Sequence, residues 1–318
     1  MKILIHYPFS EDEIEQFCTL ARSLGDHEIL HANSEDEAGA LAADVEVLMG
    51  HFRPAVCAAA PNLRWIQSFS AGMDKFLFPE IIEREDVAIS NVAGLYAVQG
   101  AEHAWALLLA LARSLPTAFT SQTQRRWQSG PVVSVTGMTL GVVGMGGFGL
   151  EMVKRAQGYD MHILAVDAVR TEAPTGVAQL KPATKENLHE LLSLADVVMM
   201  ACPLTKETYH LISSEEFAMM KPTAYLINVT RGGIIDEDAL VAALQNNQIA
   251  GAALDVVEKE PLSEDSPLWA APNLILTPHR AGASQHRHRD IVNFFQQNLR
   301  RYLSGEPVVN LVDKRRGF

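Results

Sequence analysis

Gly144-Met145-Gly146-Gly147-Phe148-Gly149 sits near the middle of a chain of 318 residues. The apolar stretch from Met138 to Val143 before it reads as a short buried strand. Leu150-Glu151-Met152-Val153-Lys154-Arg155-Ala156 after it reads as the opening turns of a helix. Strand, glycine turn and helix form the setting in which G-x-G-x-x-G binds a dinucleotide. Gly144 permits the tight turn, Gly146 lets the backbone approach a pyrophosphate, and Gly149 packs the helix on the strand. The helix N-terminus, at Gly147 and Phe148, then faces the phosphates with its N–H groups and positive dipole end.

The next strand, His162 to Val166, ends at Asp167, which lies 23 residues beyond Gly144. An acidic side chain there is expected to hydrogen-bond the adenosine ribose hydroxyls. Arg170, three residues further on, is of the type that accepts a 2′-phosphate, whereas Asp167 would repel one. The expected cofactor is therefore NAD, with NADP left open.

Outward from this point the chain divides. The length allows about two domains of ordinary size. Hydrophobic residues at 48% and charged residues at 20% describe a globular chain. The net charge of −12 argues against a nucleic-acid partner, whose footprint would be basic. Cys18, Cys57 and Cys202 are scattered and odd in number, which predicts reduced thiols in a cytoplasmic setting and neither a disulfide framework nor a metal site. No apolar run approaches the length of a membrane span; the densest, Ala104 to Ala112, predicts a buried helix.

Before the glycine turn, Ile3 to Ile5, Val45 to Met49 and Trp65 to Gln67 read as strands and Glu11 to Leu24 as a helix. A long helix is expected from about Tyr96 to Leu115, ended by Pro116. From Leu140 the alternation restarts, with strands at Leu140 to Val143, His162 to Val166, Val197 to Ala201, Tyr225 to Val229, Ala252 to Val256 and Leu274 to Leu276. Helices are expected at Glu186 to Leu194 and Asp236 to Gln245. Six such strands are what a doubly wound nucleotide domain needs. A last helix, about Ser284 to Leu303, is expected to return the chain to the first domain. The predicted class is α/β with two doubly wound parallel sheets. Residues 1–97 and 284–318 form a discontinuous substrate domain, and the Rossmann domain 98–283 is inserted into it.

Three consecutive strand ends in the second half carry chemistry. Arg231 follows one strand, Asp255 and Glu260 follow the next, and His279 follows the last, in Thr277-Pro278-His279. Ligands of open α/β sheets bind beyond the carboxyl ends of strands. An arginine fork suits bidentate binding of a carboxylate and polarisation of a carbonyl. A histidine exchanges protons near neutral pH, and a neighbouring glutamate orients its ring and favours the imidazolium. Beside a nicotinamide, this set is equipped to reduce a 2-keto acid.

At these residues the chain resembles the D-isomer-specific 2-hydroxyacid dehydrogenases, in particular glyoxylate/hydroxypyruvate reductases. The likeness runs through the glycine fingerprint with Asp167, Cys202-Pro203-Leu204-Thr205-Lys206-Glu207-Thr208, Asn228 to Asp236, Ala252 to Pro261 and Thr277-Pro278-His279. Ser70-Ala71-Gly72-Met73-Asp74, Asn91 to Gly94 and Ala101-Glu102-His103-Ala104 carry it upstream. The resemblance implies a flavodoxin-like substrate domain and a homodimer acting on a small 2-keto or 2-hydroxy acid. It implies that Arg231 binds and polarises the substrate, His279 is the general acid/base and Glu260 pairs with it. It further implies that Asp255, Thr230, Cys202, Pro203 and Thr208 line the cofactor, with Asp255 at the nicotinamide amide. Ser70, Ala71 and Gly72 would then hold the substrate carboxylate. Arg280 and Arg170 depart from the commonest family pattern. Trp127 resembles a tryptophan of the glyoxylate-reducing members and reads equally as a packing residue, and Arg53 could reach the cleft but reads better as a surface salt-bridge residue. His286 and His288, two apart on a helix, read as solvated, and Glu102 and His103 as packing or dimer-contact residues. Two other functions share this pattern: a corepressor that senses the dinucleotide, and a formate- or phosphite-type dehydrogenase.

Overall fold

Each α/β rhythm of the sequence closes on its own parallel sheet. The computed structural model describes every residue from Met1 to Phe318. The chain separates into two units, one of Met1–Tyr96 with Ser284–Phe318 and one of Ala97–Ala283.

The first unit has strands β1 (Lys2–His6), β2 (Glu28–His31), β3 (Val45–Gly50), β4 (Trp65–Ser68) and β5 (Ala88–Ser90), in spatial order β2-β1-β3-β4-β5. All pairs are parallel, and the order is the flavodoxin-like one. β1, β3 and β4 are the apolar runs visible in the sequence, and they are buried on both faces. The helix Glu11–Leu24 begins where its capping box dictates. Glu13 N–H donates to the Ser10 hydroxyl at 3.3 Å, and Ser10 N–H to the Glu13 carboxylate at 2.8 Å.

The last helix runs Arg287–Leu303 and starts three residues later than the sequence suggests. It buries Ile291, Val292, Phe295 and Leu299, an apolar stripe at helical spacing. Asn298, fully buried, donates to Gln67 Oε1 at 2.5 Å and accepts from Val309 N–H at 2.9 Å, so its burial leaves no unmet amide. The tail is anchored as well: Lys314 Nζ donates to the carbonyls of Ile81, Arg84 and Val87. These contacts explain why the last 35 residues belong to the first unit.

The second unit holds β6 (Thr139–Val143), β7 (His162–Asp167), β8 (Gln179–Pro182), β9 (Val197–Met200), β10 (Tyr225–Asn228), β11 (Gly251–Leu254) and β12 (Leu274–Leu276). Their order is β12-β11-β10-β9-β6-β7-β8, all parallel. This is the dinucleotide-fold order 3-2-1-4-5-6 with one strand added. The added strand is β12; of the seven, the one the sequence did not announce is β8, a short edge strand ending in proline. The order of strand addition reverses between β6 and β9, so the crevice lies where the glycine turn leaves the sheet.

The expected single helix from Tyr96 to Leu115 is two. Ala97–Ala112 ends before Ser114, whose φ of 53° breaks the helix, and Pro116 sits in the first turn of the next helix, Leu115–Thr123. Proline starts that helix, in a position where its missing N–H costs nothing.

Candidate active site

The glycine turn owes its shape to close backbone approach. Gly144 has φ +100°, and a Cβ there would come within 2.7 Å of the Ala201–Cys202 peptide at the end of β9. A Cβ on Gly149 would lie 2.1 Å from the Gly144 carbonyl oxygen. Gly146 is different: a Cβ there meets nothing within 4 Å, so its face is open. No side chain caps the helix Gly147–Ala156 that follows. An open glycine face beside an uncapped helix N-terminus fits a pyrophosphate. Asp167, at the end of β7, accepts from Met145 N–H at 2.6 Å, Val169 N–H at 2.8 Å and Arg170 N–H at 2.6 Å. Arg170 Nε donates to the Met145 carbonyl at 3.1 Å, so both charged residues stand against the turn.

Just past β9, Cys202 is buried and Pro203 is exposed. Burial pushes the Cys202 thiol up to about 12, so it stays protonated. The Thr208 hydroxyl is used inside its own loop, donating to the Pro203 carbonyl at 2.7 Å and accepting from Thr205 N–H at 2.7 Å.

Arg231 follows β10 on a turn braced by Asn228, which is fully buried. Asn228 Nδ2 donates to the Arg231 carbonyl at 2.7 Å, and its Oδ1 accepts from Thr230 N–H and hydroxyl. The Arg231 guanidinium donates to the Thr230 carbonyl at 2.8 Å. Gly232 then passes so close to the next loop that a Cβ would fall 1.9 Å from the Val257 carbonyl carbon. That contact seats the Arg231 turn against the 257–260 loop.

The 257–260 loop carries Glu260, whose Oε2 lies 2.8 Å from His279 Nδ1. A carboxylate only accepts, so Nδ1 holds a hydrogen and Nε2 is the nitrogen left to exchange protons with a ligand. Glu258 ties the same loop down, accepting from the Tyr209 hydroxyl at 2.7 Å and sharing a 3.2 Å contact with His210 Nε2. His279 has φ +50°, a backbone region unusual for a residue with a side chain. Asp255 holds it there: its carbonyl accepts from His279 N–H at 2.7 Å, and its carboxylate from Arg280 N–H and Ala281 N–H. Burial pushes the Asp255 carboxyl up, but hydrogen bonds from His103, Thr277, Arg280 and Ala281 outweigh it and hold the group below the ordinary carboxylate range.

In the first unit, Ser70–Gly72 follows β4. The Ser70 hydroxyl donates to the Gly72 carbonyl at 2.8 Å, and Asn91 Nδ2 to the Ala71 carbonyl at 2.9 Å. None of these bonds uses the Ala71 or Gly72 N–H. Arg53 is exposed after β3, and Trp127 is fully exposed. His286 and His288 are exposed, as the solvated reading expects, and His288 Nε2 lies 2.8 Å from the Glu13 carboxylate. Glu102 pairs with Arg155 at 3.5 Å, and the Arg280 side chain is exposed. His189, Glu215 and Glu216 cluster closely enough to hold a metal ion. Glu216 is already engaged by Ser213 and His189, and Glu215 by Lys185. Asn228, Thr277 and His103 were not marked as site residues by the sequence, because what they do depends on long-range contact.

An open dinucleotide turn, with an Arg, a Glu–His pair and a buried Asp on the neighbouring strand ends of one sheet, defines a nucleotide-dependent oxidoreductase. Residues 105–281 match the model of the D-isomer specific 2-hydroxyacid dehydrogenase NAD binding domain. The chain is 37% identical over 265 residues to a glyoxylate reductase of Korarchaeum cryptofilum, covering 80% of this chain and 78% of that one. It superposes on a D-isomer specific 2-hydroxyacid dehydrogenase family protein from Aeromonas salmonicida with TM-score 0.81 at 33% identity, over 98% and 99% of the two chains. It also superposes on such an enzyme from Xanthobacter autotrophicus, solved with NADPH and MES, with TM-score 0.81 at 28% identity over 99% of each chain. The chain belongs to the D-isomer specific 2-hydroxyacid dehydrogenase family and is an NAD(P)-dependent oxidoreductase of 2-hydroxy acids.

Proposed function

We propose that this enzyme reduces small 2-keto acids, glyoxylate and hydroxypyruvate foremost, to 2-hydroxy acids of D configuration where the product is chiral. The observation that carries this is the 2.8 Å Glu260–His279 contact on the strand end beside the Arg231 turn. The Arg231 fork pairs with the substrate carboxylate and keto oxygen and offsets the negative charge that grows on that oxygen. His279 Nε2 gives its proton to the same oxygen, and Glu260 supplies the counter-charge while the ring carries two protons. NAD(P)H, when bound, supplies the hydride to the keto carbon. The glyoxylate-reducing relative supports the substrate class. Oxidation of D-glycerate but not L-glycerate, and reduction of glyoxylate, hydroxypyruvate, pyruvate and phenylpyruvate in a coupled absorbance assay, tests this assignment. Oxidation of formate or phosphite without keto-acid reduction would replace it, and tight NAD(P)H binding with no turnover would favour a corepressor role.

For the cofactor, Gly144, Gly146, Gly147, Phe148 and Gly149 hold the pyrophosphate, and Asp167 the ribose of NAD. Cys202, Pro203, Thr208, Thr230 and Asp255 line the remainder, and Arg170 leaves NADP use open. Removing one hydrogen bond to a charged group costs roughly 1.5–3 kcal/mol, a tenfold or larger change in affinity. Arg170→Ala is therefore expected to raise the NADPH/NADH ratio of KM values by about tenfold, and Asp167→Ala to lower it by a similar factor. Equal ratios in all three proteins would remove both residues from cofactor choice.

We infer further that the enzyme is a cytoplasmic homodimer. Phe119, Trp127 and Val132 are exposed apolar side chains within residues 119–132, and a partner subunit that covered them would remove apolar surface from water. Sedimentation velocity is expected to give a mass about twice the 34.8 kDa of the chain. A monomer would discard the assignment.

A further inference from the structure

We propose that His103, on the helix Ala97–Ala112, is a positioning residue for the His279 turn, acting through Thr277 and Asp255. The proposal rests on His279 as the acid–base group and goes beyond it by naming what sets that group's pose.

The hydrogen count carries the assignment. The Thr277 hydroxyl owns one proton, and it is given to Asp255 Oδ1 at 2.6 Å. His103 Nε2 lies 2.9 Å from that same hydroxyl oxygen and 3.3 Å from Asp255 Oδ1. Asp255 already accepts from the Thr277 hydroxyl and Arg280 N–H at Oδ1 and from Ala281 N–H at Oδ2, bonds that favour its ionised form. Neither oxygen has a proton to offer, so Nε2 must carry one and donate it. The Asp255 side chain is fully buried and only accepts. Its Oδ1 meets Thr277, His103 and the Arg280 N–H, and its Oδ2 accepts from the Ala281 N–H.

The segment from Thr277 to Ala281 therefore wraps one carboxylate, and His279 occupies its crest in the left-handed region. Asp255 can keep that strained turn only while its carboxylate is held in one orientation. His103 is the brace that comes from outside the turn and from far along the chain, 174 residues from Thr277. Without it the carboxylate can rotate, Thr277 loses its donor, and the crest relaxes with the imidazole on it. A shift of about 1 Å in a reacting group can cost on the order of 100-fold in rate.

The test compares His103→Leu, His103→Gln and Thr277→Val in steady-state reduction of hydroxypyruvate, with NAD(P)H affinity from fluorescence titration. His103→Leu is expected to lower kcat by about 10- to 100-fold, with KM and cofactor Kd changed by less than about threefold. The glutamine amide places an N–H near the position of Nε2, so His103→Gln should recover kcat to within about threefold of wild type. Thr277→Val should match the His103→Leu defect, and the double variant should be little worse than either single one. Long-range proton–nitrogen NMR of the native enzyme should show His103 with Nε2 protonated, a readout independent of turnover and of whether a variant folds. An unprotonated Nε2, unchanged kcat in His103→Leu, or a glutamine variant as impaired as the leucine one would overturn the proposal. His279→Gln is run beside them: if it turns over normally, the acid–base assignment fails. If it is dead while His103→Leu is normal, only the positioning role fails.

Discussion

Replacing His279 with Gln is expected to lower kcat for keto-acid reduction by about 10³-fold, within the range of 10²–10⁴ that a positioned acid or base contributes. Glutamine keeps the polarity and approximate size of the ring and still meets Glu260, whose Oε2 stands 2.8 Å from Nδ1. What it cannot do is release a proton from the position of Nε2. The loss should therefore fall on kcat, with NAD(P)H affinity from fluorescence titration within about threefold of wild type, the mark of an interaction made only in the transition state. A variant that retains most of its turnover would remove His279 from the chemistry. Glu260→Gln should show a smaller loss, because it leaves the imidazole in place and removes its counter-charge.

Replacing Arg231 with Gln is expected to damage both kinetic constants. The fork is assigned two jobs, holding the carboxylate in the ground state and balancing the growing charge on the keto oxygen. Loss of the first should raise KM by about tenfold or more, the value of one charge-assisted hydrogen bond. Loss of the second should lower kcat by about 10²–10³, as removal of an oxyanion donor does. Arg231→Lys should recover part of KM and little of kcat, since an ammonium restores charge but not the planar pair of donors. A kcat near wild type with a raised KM would confine Arg231 to binding. The Asn228 brace beneath the turn limits the collateral damage, because it engages the Arg231 carbonyl and not its side chain.

Much of this architecture was legible because it is written in local pattern. β6, β7, β9, β10 and β11 are short apolar runs largely buried in one sheet, β12 is a half-buried apolar run at its edge, and the glycines sit where β6 turns into a helix. The expected site residues Arg231, Glu260 and His279 were visible because each stands in the loop after a strand. What stayed hidden depends on pairing. β2, β5 and β8 carry too few apolar residues to announce themselves; Glu28–His31 and Gln179–Pro182 are edge strands that exist because a neighbour supplies the ladder. Pro116 read as a stop although it stands at a helix start, since proline favours both places. The buried polar set of Asn228, Asp255, Thr277 and His103 follows no period. Its members meet only after the sheet forms, and His103 looks from the sequence like one more residue on a packed helix.

The central claim is that Arg231 and the Glu260–His279 pair carry keto-acid reduction at the edge of the dinucleotide sheet. The most direct measurement follows NADH and NADPH oxidation with saturating hydroxypyruvate and glyoxylate, in the wild-type enzyme and in His279→Gln with its cofactor site shown loaded. Saturable turnover by the wild type and a loss of about 10³-fold in the loaded variant is the predicted result. Absence of wild-type turnover with either cofactor, or equal turnover by the two proteins, would contradict it.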